Sequence, residues 1–193
     1  MTAVVLNLEQ VNLTDEQFYN LCQVNQSWNL ERTAKGDLVI MPPVGGESGQ
    51  READLITDLN LWNRQQRDST SRTKFGVSRA QAKLGIVFSS STIFSLPNGG
   101  DRSPNAAWIS HSRWNTLTDK QKKGFSPICP DFVIELRSQS DAIRPLQEKM
   151  REYLDSGLKL GWLIEPQNNQ AEIYRCDYPK GLALRNSKAD RDP

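Results

Sequence analysis

Charged and large apolar residues alternate through Cys129-Pro130-Asp131-Phe132-Val133-Ile134-Glu135-Leu136-Arg137. At a strand's period of two, Asp131, Val133, Glu135 and Arg137 share one face, while Phe132, Ile134 and Leu136 share the other. A strand this rich in core residues lies deep in a fold, where charge is costly unless it is paired or holds a metal. The acidic-then-basic face reads as a site for metal-assisted or acid–base chemistry.

Spacing limits what that face can do alone. Four residues on a strand span about 13 Å, whereas ligands of one Mg²⁺ lie about 2 Å from it. Asp131 and Glu135 therefore cannot share an ion, and Glu135 needs a partner from a neighbouring strand. The segment Ser103-Pro104-Asn105-Ala106-Ala107-Trp108 is the natural source, with Asn105 offering a neutral oxygen. Two readings stand for each acid. Glu135 is a metal-site carboxylate, or a buried ion-pair partner of Arg137 or a lysine. Asp131 is catalytic, or it caps the start of its strand.

Lys149 is the candidate cation. At about 100° per residue, it falls about 60° from Leu146 and about 40° from Tyr153, on the border of an apolar face set by Leu146, Met150, Tyr153 and Leu154. It either snorkels past the core or points at the Glu135 site. Glu52 precedes Leu55, Ile56 and Leu59 at spacings of three, four and seven. It is a metal-side carboxylate, or an acid favoured by the helix dipole. His111 is the only histidine, and nothing around it supports a metal site or a catalytic triad. Arg64, Arg67, Arg72, Lys74 and Arg79 form a basic cluster that could contact phosphates or simply face solvent.

These side chains must be positioned by recognisable elements. Thr14-Asp15-Glu16-Gln17 is a capping-box pattern that predicts a helix over 14–24. Leu30 to Met41, with Lys35-Gly36-Asp37 at its middle, reads as a hairpin. A Gly-rich loop at 45–49 leads into a second helix over 49–66. Strands follow near 75–79, 84–89, 92–96 and 105–110, with a turn at Pro97-Asn98-Gly99-Gly100. A short helix lies around Thr118 to Lys123. The charged strand spans 131–137. A third helix runs 145–156, with Pro145 in its first turn and Gly157 at its C-terminal cap. Leu160 to Ile164 and Glu172 to Arg175 form a closing hairpin. Residues 186–193 read as a frayed tail. Alternating strands and helices predict an α/β fold, with residues 1–185 as one domain.

Composition excludes several classes. Net charge is +1, so nucleic-acid affinity must come from a local patch. The three cysteines are far apart, which argues against a disulfide framework or a zinc site. No apolar run is long enough for a membrane span and no signal-peptide pattern occurs, so a cytoplasmic protein is expected.

Taken together, these pieces resemble the Uma family, a branch of the PD-(D/E)xK nuclease superfamily. The resemblance runs from Leu38-Val39-Ile40-Met41-Pro42-Pro43 to Ile173-Tyr174. It is carried by the Gly-rich entry to the second helix, Arg102-Ser103-Pro104-Asn105-Ala106-Ala107-Trp108 and Pro130-Asp131-Phe132-Val133-Ile134-Glu135. Lys149, Tyr153, Gly157 and Trp162-Leu163-Ile164 complete it. It implies a restriction endonuclease-like mixed β-sheet flanked by helices, and Mg²⁺- or Mn²⁺-dependent hydrolysis of DNA phosphodiester bonds. The first acidic position of the family falls on Asn105 and the second on Glu135. The lysine falls on Arg137 or, displaced to the helix, on Lys149, and Glu52 matches a helix acid. Asn105 departs from the family's Asp and removes a charge, for which Asp101 or Asp131 could compensate. The resemblance thus leaves an endonuclease and a catalytically silent binding protein as alternatives. Superfamily nucleases often pair to cut two strands, which makes a homodimer compatible with this reading.

Overall fold

Two β-sheets meet where the chain passes directly from one into the other, and the larger sheet carries helices on both faces. The computed structural model describes residues 3–65, 84–177 and 184–185. In chain order its elements are β1 (Val4–Leu6), α1 (Asp15–Val24), β2 (Asn29–Arg32), β3 (Leu38–Met41), α2 (Gly46–Gln65), β4 (Gly85–Ser89), β5 (Phe94–Ser95) and β6 (Asp101–Arg102). They continue with β7 (Ala106–Ser110), α3 (His111–Trp114), α4 (Asp119–Lys123), β8 (Phe132–Leu136), α5 (Ile143–Asp155), β9 (Leu160–Glu165), β10 (Gln170–Arg175) and β11 (Leu184–Arg185).

The smaller sheet has the order β1-β3-β2-β6-β5, antiparallel throughout. Its hairpin β2–β3 closes through Thr33 and Asp37, with Gly36 at φ +90°. Helix α1 starts where Thr14 and Gln17 cap each other. It buries Phe18 against Leu30 and Leu38 of the hairpin.

The larger sheet has the order β11-β10-β9-β8-β7-β4. Every neighbouring pair is antiparallel except β8 and β9, which run parallel and are joined across α5. This is the mixed sheet that the family resemblance implies. Helix α5 packs Met150 and Tyr153 on Val133 and Leu163. Helix α2 packs Leu55, Ile56 and Leu59 on Ala106, Ile134 and Ile164 of the opposite face. The alternation in β8 therefore has a physical counterpart: Val133 and Glu135 look toward α5, while Phe132 and Ile134 look toward α2. Gly161 lies opposite Val133, and a Cβ there would run into Met150 and Leu158. That absence of a side chain is what lets α5 sit close to the strand. The helix stops at a left-handed Gly157 (φ +97°). Leu158 N–H returns to Tyr153 O and Gly157 N–H to Leu154 O, the paired bonds of a Schellman ending. This stop fixes the last turn, which carries Glu152 and Tyr153.

Several sequence expectations shift. Helix α2 begins at Gly46 and α5 at Ile143, both earlier than their spacing indicated. Strands β1 and β6, and with them the separate smaller sheet, carry no sequence signal strong enough to find. Each has three residues or fewer and too little length for a period. The strand at 75–79, the basic residues Arg67, Arg72, Lys74 and Arg79, and the tail at 186–193 lie outside the described residues.

Candidate active site

Glu135 occupies the penultimate position of β8 and is 3% exposed. One face of α5 converges on it, because residues three and four apart on a helix stand side by side. Lys149 brings its Nζ to 2.8 Å from Glu135 Oε1. Tyr153, one turn further on, donates its hydroxyl to the same oxygen at 3.1 Å. Glu135 Oε2 receives no hydrogen bond from any described residue, and Glu135 lines an open cleft of about 1240 Å³.

The chain that links the two sheets forms the other wall. Residues 103–105 run from β6 into β7. The Ser103 carbonyl accepts from Lys149 Nζ at 3.0 Å, while Ser103 N–H donates to Glu31 Oε1 at 2.9 Å. Glu31, on β2, also takes Lys149 Nζ at 2.7 Å on Oε1 and Arg102 Nη1 at 2.9 Å on Oε2. Arg102 reaches on to Glu152 of α5 at 2.7 Å. The result is a buried chain of alternating charge, Glu135–Lys149–Glu31–Arg102–Glu152, that ties the two sheets to α5.

The charges in this chain set one another's protonation. Burial pushes Glu31 up, but Lys149 and Arg102 overcome it and hold its carboxyl below the usual range. Burial raises Glu135, and Glu31 adds to the rise while Lys149 opposes it. Burial works against the Lys149 ammonium, yet Glu135 and Glu31 hold its pKa above the ordinary lysine value. Lys149 is therefore a fixed cation at neutral pH and not a base.

Asn105 stands beside Glu135, since Ala106 pairs with Ile134 in the antiparallel register. Its Oδ1 accepts the Leu136 N–H at 2.9 Å, which turns Nδ2 toward Glu52 Oε2 at 2.7 Å. The other Glu52 oxygen accepts the Ser90 hydroxyl at 2.5 Å. Glu52 is thus held in the same cleft, one helix away from Glu135.

The structure separates the remaining sequence candidates from this group. Asp131 sits at the opposite end of the charged stretch and does not line the cleft. It accepts Ser110 N–H at 2.9 Å and pairs with Arg113 at 3.1 Å and Lys159 at 2.7 Å. Arg137 pairs with Glu165 at 2.6 Å and donates to Asp141 O at 3.0 Å, also off the cleft lining. Asp101 is committed to Arg32 at 2.6 Å and to the Ser95 hydroxyl at 2.6 Å. Glu31, Arg102 and Glu152 escaped the sequence reading. Glu31 is separated from Lys149 by 118 positions, and it alternates with no other acid on its short strand.

No group of three or more His, Cys, Asp or Glu side chains poised for a metal occurs among the described residues. A hard divalent cation needs fewer: one or two carboxylates, with water completing its shell. Glu135 Oε2 has no donor among the described residues, and Glu135 and Glu52 lie within the same lining, so the donor chemistry fits such an ion. Asn105 enters this set with its amide donor foremost, not its oxygen.

The sequence matches the model of the Uma2 family, "Putative restriction endonuclease", over residues 15–190. The fold is similar to a crystal structure of a "putative nuclease belonging to DUF820" from Anabaena variabilis ATCC 29413. The TM-score is 0.62 at 16% identity, with 83% of this chain and 78% of that chain covered. At that identity the likeness carries the fold alone. No curated protein matches the chain. No helix among the described residues is long and apolar enough to cross a membrane.

Proposed function

The chain belongs to the Uma2 family, and from that premise we propose that it is a divalent-cation-dependent endonuclease that hydrolyses DNA phosphodiester bonds. The observation that carries the reading is the contact of Lys149 with Glu135 at 2.8 Å, in a cleft also lined by Glu52 and Asn105. Glu135 and Glu52 would hold Mg²⁺ or Mn²⁺. When bound, the cation would supply an activated water and a counter-charge for the reacting phosphate. Lys149, kept protonated by two buried carboxylates, stabilises negative charge that develops beside Glu135. Tyr153 holds Glu135 by Oε1, and Oε2 is left without a donor among the described residues. Arg137 and Asp131 are left as struts. The cleft wall supports a need for the cation. Nine acids line it against five lysines and arginines, a net negative field that a bound divalent cation would offset for an incoming phosphodiester. A cytoplasmic location and a homodimer that sets two clefts against two strands belong to the same proposal.

One observation favours a second reading, a catalytically silent protein that keeps the fold to bind nucleic acid or a protein partner. The Asn105 amide donates to Glu52 and so performs the task of a shared cation without one.

The test is plasmid and single-stranded DNA incubated in Mn²⁺ and then Mg²⁺, beside a Glu135→Ala control. Cleavage lost in the control supports the nuclease. Cleavage that persists in Glu135→Ala sinks it. No cleavage by wild type, with metal affinity rising in Asn105→Asp by calorimetry, supports the silent reading. Tight Mn²⁺ binding by wild type removes its basis.

A further inference from the structure

We propose that Glu31, supplied by the N-terminal hairpin, is the positioning residue of the site: it holds the Lys149 ammonium against Glu135 at the edge of the cleft. The inference rests on the nuclease reading for its catalytic consequence, and on geometry for the rest.

An ammonium has three N–H bonds and no other means of directing itself. Around Lys149 Nζ stand three acceptors, Glu31 Oε1 at 2.7 Å, Glu135 Oε1 at 2.8 Å and Ser103 O at 3.0 Å. Lysine reaches them on a flexible four-carbon stem, so its head is placed by its acceptors and not by its own shape. Glu31, Glu135 and Lys149 all line the cleft, and Glu135 is the one whose second oxygen accepts no hydrogen bond from a described residue. Glu31 and Ser103 O form the fixed side of the cage. Glu31 is itself immobilised by donors from three different residues. Ser103 N–H and Lys149 share Oε1, and Arg102 holds Oε2. Arg102 is anchored in turn to Glu152, three residues beyond Lys149 on α5. The loop of contacts closes on the helix that carries the lysine. Glu31 lines the cleft but is 1% exposed, and its hydrogen bonds go to Lys149, Ser103 and Arg102. Of these partners only Lys149 also holds Glu135, so its effect passes through Lys149.

Glu172 provides a matched control. It is 2% exposed, bonded to Gln147 at 2.8 Å and Tyr174 at 2.7 Å, and absent from the cleft lining. Glu31→Gln and Glu172→Gln make the same chemical change at equal burial, and both are expected to lower thermal stability. At a temperature where all variants are folded, Glu31→Gln is expected to lower kcat roughly 10- to 100-fold with KM for DNA unchanged. Glu172→Gln is expected to keep wild-type kcat. Equal loss in the two variants, or an unchanged kcat in Glu31→Gln, overturns the inference.

A second readout needs no activity. In ¹⁵N-lysine-labelled protein, an ammonium caged by three acceptors exchanges its hydrogens slowly enough to give an Hζ–Nζ cross-peak. That peak, assigned by its loss in Lys149→Met, is expected in wild type and in Glu172→Gln and absent in Glu31→Gln. Its survival in Glu31→Gln overturns the inference. If Glu31→Gln does not fold, Glu31→Asp keeps the charge and withdraws the carboxylate by one methylene. It is expected to lose both the peak and kcat, and retention of both overturns the inference. Should wild type not cleave DNA at all, the nuclease reading fails by itself and the cross-peak alone decides the role of Glu31.

Discussion

Asp131 and Glu135 are two acids on one face of one stretch of chain, four positions apart, yet the fold surrounds them in opposite ways. At the Asp131 end the carboxylate is anchored by a backbone N–H and by two cations that reach in from solvent. The side chain of Lys159 is 62% exposed and that of Arg113 32%. At the Glu135 end the partner cation is itself buried, with Lys149 6% exposed, and a second acid competes for it. The pKa directions follow. Burial raises Asp131 too, but Lys159, the Ser110 N–H and Arg113 outweigh it and its carboxyl lies below the usual range. Glu135 lies above. A carboxylate whose partner side chains are partly exposed is a strut. A carboxylate that lines a cleft, shares its counter-ion and keeps one oxygen without a donor among the described residues is held in a state that a ligand can relieve.

The widest gap between the two ends is expected in catalysis. Glu135→Ala should remove metal-dependent DNA cleavage, while Asp131→Asn should keep it, as read by plasmid nicking at a temperature where both are folded. Loss of cleavage in Asp131→Asn would erase the contrast. Stability comes next. Lys149→Met leaves Glu31 and Glu135 buried without their shared cation, and breaking a buried pair in this way costs about 3–5 kcal/mol. Denaturant unfolding measures it. A cost under about 1 kcal/mol would mean that the Glu135 end is solvated like the other.

The strut and the site looked alike in the sequence for a definite reason. A period of two reports the face of a strand but not the position along it, and only position decides which acid meets the cleft. The helical wheel did better for Lys149, because its offset from Leu146 and Tyr153 is a local property of α5. Asn105 was legible through the motif Ser103-Pro104-Asn105, and the register of β7 with β8 sets it beside Glu135. The hairpin β2–β3 and the three longer helices were legible because each carries its own caps, turns or stripe, whereas the mixed sheet was legible only through the family resemblance. Glu31, Arg102 and Glu152 were not. Their pairing is made by strands of four and two residues from distant parts of the chain, and no local pattern encodes which buried acid will meet which cation.

The opposite pKa directions sharpen the comparison further. Asp131 is depressed, so its contribution is present above the ordinary aspartate value of about 3.9 and lost as pH falls through its lower folded value. Asp131→Asn should therefore cost about 2 kcal/mol near pH 7, and the gap from wild type should close in acid. Glu135 is raised, so its contribution is present below the ordinary glutamate value of about 4.3 and lost as pH rises through its higher folded value. Glu135→Gln, which mimics the protonated form, should compare better with wild type at neutral pH than in acid. Urea midpoints from pH 3 to pH 8 give both curves. Two curves of the same sign would break the distinction.

The smallest effect belongs to Lys159, and its smallness is informative. Its Nζ lies 2.7 Å from Asp131 Oδ1, slightly closer than Lys149 lies to Glu135. Distance alone would rank the two pairs as equals. The side chain of Lys159 is mostly in water, where a pair at this separation is worth about 0–1 kcal/mol, and Asp131 keeps Arg113 and the Ser110 N–H when Lys159 is removed. Lys159→Ala should therefore shift the unfolding free energy by under about 1 kcal/mol. In 1 M salt, where screening acts over about 3 Å, even that difference should fade, whereas most of the cost of Lys149→Met should persist because a buried pair is screened much less. A Lys159→Ala cost that matched Lys149→Met and resisted salt would mean that contact distance, and not burial, separates the strut from the site.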